Sequence, residues 1–248
     1  MKILAFIPAR YQSTRFPAKP LALIAGKPMI QHVYERAVSC PELSEVYVAT
    51  DDKRILDCVH GFGGRAIMTG KSHCSGTDRI SEAAMKMNLE QNDIIINIQG
   101  DQPLFHPSIV SLLVKALLDD SAIPMATLKR KITDEDDIRN PNHVKVVTDR
   151  QDFALYFSRL PIPCFRDAGA KTEHYKHLGF YGFTMEFLVK FTSLPEGVLE
   201  SCEKLEQLRA LEYGFKIKVL ETAFDSIDVD VPEDINKVGE ALLGLAQK

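Results

Sequence analysis

The first half of the chain alternates short apolar runs with stretches whose apolar residues recur every three or four positions. Lys2–Ile7, Glu45–Thr50, Arg65–Met68 and Asp93–Ile98 read as strands, and Met29–Val38, Lys53–Gly61 and Asp78–Leu89 as helices between them. In the third helix Ile80, Ala83, Ala84 and Met87 share one face. Strands that alternate with helices imply right-handed crossovers and an α/β fold, a mostly parallel sheet sandwiched by helices. Ligands of such sheets collect beyond the carboxyl ends of the strands. Three polar segments fall there: Arg10 to Lys19 after the first strand, Ser75–Arg79 after Met68, and Gln99–Pro103 after Ile98. The pattern places all three at one rim.

The second half has a different texture. His143–Thr148 and Phe153–Phe157 read as strands around a turn at Asp149–Asp152, and Cys164–Thr172 as an exposed loop. His177–Thr184 is a further strand, Cys202–Tyr213 a helix stopped by Gly214, and Lys216–Leu220 a strand before a closing helix from Pro232. No repeat, low-complexity tract or linker interrupts the chain. Residues 1–248 therefore read as one domain, with a smaller lobe inserted at about residues 130–215.

Composition removes several classes. Ordinary shares of apolar and charged residues among 248 exclude the disordered and fibrous classes. A formal net charge of −4 argues against a nucleic-acid partner. Cys40, Cys58, Cys74, Cys164 and Cys202 are scattered and form no Cys-x-x-Cys pair, so reduced thiols in a cytoplasm fit better than disulfides or a zinc ribbon. Met1–Ile7 is apolar but stops at Pro8 and Arg10. It is too short for a membrane span and lacks a signal-peptide cleavage region, so no membrane attachment is expected.

The polar segments carry the candidate chemistry. Arg10, Arg15 and Lys19 stand among Ser13, Thr14, Pro17 and Pro20 directly after a buried strand. Fixed cations, hydroxyls and backbone N–H groups are the means of holding a triphosphate, although a solvated basic loop explains the same residues. No Gly-x-x-x-x-Gly-Lys-Ser/Thr sequence is present, so an ordinary P-loop is excluded. Asp101 follows the buried run Ile94–Ile98, where it either caps a turn or ligates magnesium, an ion that takes one or two carboxylates plus substrate phosphates. Asp230 is its available partner, and capping of the helix after Pro232 is the plain alternative. Ser75–Arg79 opens a helix; capping accounts for Thr77 and Asp78 but not for Gly76 or Arg79. Glu206 and Gln207 sit in a helical pattern with Leu205, Leu208 and Leu211 inward, which allows a merely solvated face.

Taken in order, these segments resemble the 3-deoxy-manno-octulosonate cytidylyltransferase family, which makes CMP-Kdo for lipopolysaccharide biosynthesis. The resemblance rests on Ile7-Pro8-Ala9-Arg10-Tyr11 with Ser13–Pro20, Gly26-Lys27-Pro28-Met29-Ile30, Ala49-Thr50-Asp51, Ser75–Arg79 and Asn97–Asp101. It continues through Ala154–Arg159, Lys176-His177-Leu178-Gly179, Leu205–Arg209 and Val229–Asp234. It implies a glycosyltransferase-A-like fold of the nucleotide-diphospho-sugar transferase kind, whose second lobe gives a homodimer contact. Position by position, Arg10, Ser13, Arg15 and Lys19 would hold the CTP phosphates, with Ala9 on the same nucleotide side. Ser75, Gly76, Thr77 and Arg79, with Gln99 and Gly100, would face cytosine and ribose. Asp101 and Asp230 would hold magnesium and, with Arg10 and Lys19, form the catalytic set. Arg159, His177, Tyr181, Glu206 and Gln207 would face the sugar acid, with Arg159 as its carboxylate partner.

The reaction so implied is attack by the sugar's anomeric hydroxyl on the α-phosphorus of CTP. Two positions depart from the family. Ala18 replaces a usual glycine, which stiffens the loop or shifts its backbone, and Gln102 replaces a frequent glutamate. The branch with Gly100-Asp101-Gln102-Pro103 and Ala223-Phe224-Asp225-Ser226 includes members that use the 8-amino analogue of the sugar.

Overall fold

A computed structural model describes residues 1–12, 16–167 and 172–246. The first half contains β1 (Ile3–Ala9), β2 (Leu23–Ile24), β3 (Lys27–Pro28), α1 (Met29–Val38), β4 (Glu45–Thr50), α2 (Lys53–Gly61), β5 (Ala66–Met68), α3 (Gly76–Met85) and β6 (Ile94–Asn97). Then follow α4 (Ser108–Asp119), β7 (Met125–Lys131), α5 (Glu135–Arg139), β8 (Lys145–Thr148), β9 (Ala154–Ser158), β10 (Tyr175–Thr184) and α6 (Met185–Ser193). The chain closes with α7 (Val198–Glu203), α8 (Leu208–Glu212), β11 (Lys218–Glu221) and α9 (Asp234–Ala246).

The main sheet runs β11-β7-β10-β6-β1-β4-β5. The pairs β6–β1, β1–β4, β4–β5 and β7–β11 are parallel, whereas β10 is antiparallel to both of its neighbours. All four residues of β6 are buried, as a strand covered on both faces must be. Its alternation divides the core. Ile94 and Ile96 pack with Ile30 and Val33 of α1, Val59 of α2 and Leu113 of α4, while Ile95 faces Ile80 of α3 and Phe191 of α6. The sheet is thus the middle layer between two helical layers.

Three features depart from the apolar pattern. The helix expected over Asp78–Leu89 starts earlier, because the Ser75 hydroxyl accepts from the Asp78 N–H at 3.0 Å and the Asp78 carboxylate accepts from the Ser75 N–H at 3.2 Å. The helix expected over Cys202–Tyr213 is two helices. Lys204 ends α7 in a left-handed conformation (φ 53°), and the turn before α8 carries Glu206 inward to Thr77 instead of leaving it on a wet face. β7, whose alternation the pattern did not single out, is an interior strand between β11 and β10. Within residues 130–215, β10 belongs to the main sheet, and β8 and β9 extend from it as a side branch. No helix among the described residues is long and apolar enough to cross a membrane.

Candidate active site

The three polar segments do meet, and Pro8 is the point of contact. A Cβ at Gly100 would lie 2.8 Å from the Pro8 carbonyl oxygen, and one at Gly76 would lie 3.1 Å from the Pro8 ring. The loop after β6 and the start of α3 therefore close on the end of β1 because both positions lack a side chain. The resulting cleft is lined by Ala9, Arg10, Lys19, His73, Ser75, Gly76, Arg79, Gln99, Gly100 and Asp101, with Pro8, Pro20, Met29 and Cys74. Backbone N–H groups at the N-terminus of α3, with the exposed Arg10 and the half-buried Lys19 in the same lining, suit a nucleotide and its phosphates.

Lys19 ties the cleft together. Its ammonium donates to the Asp101 carboxylate at 2.7 Å and to the Val229 carbonyl at 2.8 Å, while the Val229 N–H donates to the Asp101 carbonyl at 2.9 Å. This knot brings the segment carrying Asp228 and Asp230 to the end of β6. The helix start beyond it is closed by Asp234, whose carboxylate accepts from the N–H groups of Asp230 and Val231 at 3.0 and 3.1 Å. Ala18, next to Lys19, holds φ 58°, the left-handed region that glycine occupies without strain. The departure at this position therefore puts a strained L-residue into the turn.

A second cleft adjoins the first through Gln99 and Asp101. Its lining adds Gln102, Asn142, Val144, Lys176, His177, Leu178, Gly179, Asp228 and Asp230. Gln99 also donates to the Gly179 carbonyl at 2.9 Å, which docks the loop after β6 onto the bulged part of β10 between Leu178 and Tyr181. Burial, reinforced by the charges of Asp101 and Asp230, pushes the Asp228 carboxyl up to about 6. Burial, with the Lys176 charge second, lowers His177 to about 3. The neutral ring meets the Thr127 hydroxyl at 2.9 Å; that hydroxyl has a carbonyl to donate to, Phe180 at 2.8 Å, so Nε2 carries the ring proton and Nδ1 is an acceptor.

The two carboxylates Asp101 and Asp230 offer hard oxygen donors in the second cleft, and Asp101 lines the first as well. Among the described residues no group of three or more His, Cys, Asp or Glu forms a metal cage. That donor set fits magnesium, which keeps most of its coordination for water and substrate phosphates.

The expected residues distribute unevenly. Ala9, Arg10, Lys19, Ser75, Gly76, Arg79, Gln99, Gly100 and Asp101 line one cleft, and Asp230 and His177 the other. Ser13 and Arg15 lie outside the described residues. Arg79 is buried, with its guanidinium donating to Asp51 at 3.0 Å, Thr69 at 2.7 Å and the Gly70 carbonyl at 3.2 Å, so it braces the ends of β4 and β5. Thr77 turns away from the cleft and donates to Glu206 at 2.7 Å. Glu206 is half-buried with its carboxyl desolvated, which pushes that carboxyl up, and one of its oxygens lacks a partner, as does the amide nitrogen of the buried Gln207. Tyr181 is buried behind His177, with ring centroids 5.5 Å apart. Arg159 is not brought to the cleft. Its guanidinium donates to the carbonyls of Glu203 (2.6 Å), Pro141 (3.0 Å) and Lys204 (3.3 Å). Asp228, Lys176 and His73 were not singled out as site residues. Lys176 stands inside a recognised motif, Asp228 directly precedes one, and His73 lies two residues before another.

A family model described as cytidylyltransferase matches residues 4–218, and the chain belongs to this family of nucleotidyltransferases. The relatives narrow the group. A 3-deoxy-manno-octulosonate cytidylyltransferase from Desulfatibacillum aliphaticivorans is 54% identical, covering 98% of this chain and 99% of its own. An 8-amino-3,8-dideoxy-manno-octulosonate cytidylyltransferase from Shewanella halifaxensis is also 54% identical, covering 99% of this chain and 100% of its own. Among solved structures, CMP:2-keto-3-deoxy-manno-octonic acid synthetase complexed with CTP superposes with a TM-score of 0.93 at 44% identity, covering 98% of this chain and 99% of that one.

Proposed function

We propose that the protein transfers CMP from CTP to the anomeric hydroxyl of 3-deoxy-D-manno-octulosonate, releasing pyrophosphate, as a step of lipopolysaccharide biosynthesis. The observation that carries this reading is that two clefts share Gln99 and Asp101. A nucleotide in one and an acceptor in the other approach the same carboxylate from two sides, which is the arrangement a direct transfer at phosphorus requires.

In this reading Arg10 and Lys19 face the phosphates, and the N-terminus of α3 with Gln99 and Gly100 holds the cytidine. Bound to Asp101 and Asp230, magnesium would neutralise phosphate charge and ease ionisation of the acceptor hydroxyl. Lys19 also limits repulsion between Asp101 and the incoming triphosphate, since it already sits on that carboxylate. We place the reaction in the cytoplasm and assign a homodimer contact to the side branch. There Leu155 and Leu160, with Val198 of α7, are exposed apolar residues, and Glu203 of α7 accepts from the Ser158 hydroxyl and the Arg159 N–H.

The 8-amino sugar is the second acceptor reading. The specific observation in its favour is that a relative named for the 8-amino sugar is as similar to this chain, at 54% identity, as one named for the octulosonate itself. Pyrophosphate release from CTP with each purified sugar acid in turn decides between them. The expected result is turnover with CTP in preference to other nucleotides and with one of the two octulosonates. If CTP with magnesium gave neither turnover nor a thermal shift, the protein would be a non-catalytic member of the fold.

A further inference from the structure

An acceptor that carries its own negative charge meets an adverse field in the second cleft. Three carboxylates, those of Asp101, Asp228 and Asp230, line it. A sugar carboxylate brought among them needs a cation of its own. His177 is buried and neutral, and Arg159 is committed elsewhere to three main-chain carbonyls. Among the described residues lining this cleft, Lys176 is the one cationic side chain.

The way Lys176 is held suits that task. It is directly opposite Arg130 on the antiparallel neighbour β7, so both side chains leave the same face of the sheet. Both reach towards Asp225, but unequally. Arg130 closes on one carboxylate oxygen at 2.8 Å, whereas the Lys176 ammonium stands 3.5 Å from the other. The lysine side chain is 15% exposed and thus confined, without a tight partner that would consume its charge. Position agrees as well. The carboxylate of the sugar acid is bonded to the same carbon as the attacking hydroxyl, so its cation must lie close to Asp101 and Asp230. Lys176 lines the same cleft as both of these carboxylates.

We infer that Lys176 is a specificity-determining residue of the acceptor cleft, its ammonium pairing with the carboxylate of the sugar acid. The inference rests on the proposed reaction with an acidic acceptor. Arg130 completes the device: it neutralises Asp225, so Lys176 need not do so.

The test is steady-state pyrophosphate release by wild type, Lys176→Met and Lys176→Arg, using the sugar acid and its uncharged primary carboxamide. Lys176→Met should raise KM for the sugar acid by about 10- to 100-fold, the usual consequence of losing a charged hydrogen-bond partner. KM for CTP and the melting temperature should stay at wild-type values, and Lys176→Arg should recover most of the loss. Wild type should prefer the acid to the carboxamide, and Lys176→Met should lose that preference. An unchanged sugar KM in Lys176→Met, or an equal loss towards acid and carboxamide, overturns the assignment. So would a rise in KM for CTP matching that for the sugar, which would mark a structural role. Wild-type protein inert towards every sugar acid would instead refute the functional reading, and the inference would fall with it.

Discussion

The two clefts are built on different principles. The nucleotide cleft is made of backbone. Its walls are the ends of two adjacent parallel strands and the first turn of α3, pressed together where Gly76 and Gly100 allow contact with Pro8. The acceptor cleft is made largely of side chains that arrive from the antiparallel strand β10, from the loop after β6, from Asn142 and Val144 before β8, and from Asp228 and Asp230. It also leaves a buried Gln102 oxygen without a partner. Backbone scaffolding specifies a ligand by shape and fixed N–H direction, which suits the part of the reaction common to many transferases. Side-chain charge and unpaired polar atoms specify by complementarity, which suits the variable partner. The difference teaches that nucleotide choice should resist single substitutions better than acceptor choice does.

The sharpest way to break that division is at the residue both clefts share. Asp101→Asn keeps the shape of the turn and removes the carboxylate that Lys19 pairs with. Turnover should fall at least about 10³-fold, some 4 kcal/mol of transition-state stabilisation, even at saturating magnesium. The fold should survive, because the Asp101 side chain is one-third exposed. Near-normal pyrophosphate release by this variant would remove the assigned metal site and with it the link between the clefts.

Arg159 supplies a smaller effect of a different kind. Its three carbonyl acceptors make it a brace between β9, α7 and the chain near Pro141. Arg159→Met should lower stability by about 2 kcal/mol in urea titration through unmet carbonyls. KM for the sugar acid should move within about twofold, as expected for a site outside the cleft. A large, selective rise in sugar KM would restore Arg159 to the acceptor side and weaken the case for Lys176.

Legibility followed the same division. Glu45–Thr50, Met29–Val38 and Lys53–Gly61 have the boundaries their apolar patterns predict: the two helices face the core along one stripe, and the strand is packed on both faces of the sheet. The nucleotide cleft was readable since its residues come in short contiguous runs directly after strands, where the topology of parallel sheets puts ligands. The acceptor cleft was not. β10 is antiparallel and enters between β6 and β7 out of chain order, so adjacency in sequence says nothing of what it meets. Glu206 and Gln207 look like a wet helical face, and only the break at Lys204 turns them inward. Arg159 stands in a recognisable motif, yet its partners are carbonyls far along the chain, which no spacing rule reveals.

The smallest effect concerns a backbone position within the nucleotide cleft, and so tests whether that cleft is as rigidly specified as its construction suggests. Ala18 adopts φ 58°, ψ 18° and sits between two turn bonds, its N–H donating to the Tyr11 carbonyl at 2.9 Å and its own carbonyl accepting from Leu21 at 2.8 Å. An L-residue held there is strained by about 1–2 kcal/mol, whereas a glycine is not but gains freedom in the unfolded chain worth about 0.4–1 kcal/mol. Ala18→Gly should therefore raise stability by about 0.5–1 kcal/mol with the turn unchanged. Ala22, four residues on, has φ −61°, ψ 135°, so Ala22→Gly carries only the unfolded-state term and should lower stability by about 0.4–1 kcal/mol. Opposite signs for the two variants in parallel urea titrations would show that the turn bearing Lys19 keeps a left-handed residue under strain. Equal losses would mean that the loop relaxes around Ala18, and that the backbone of the nucleotide cleft is less fixed than that of a preformed site.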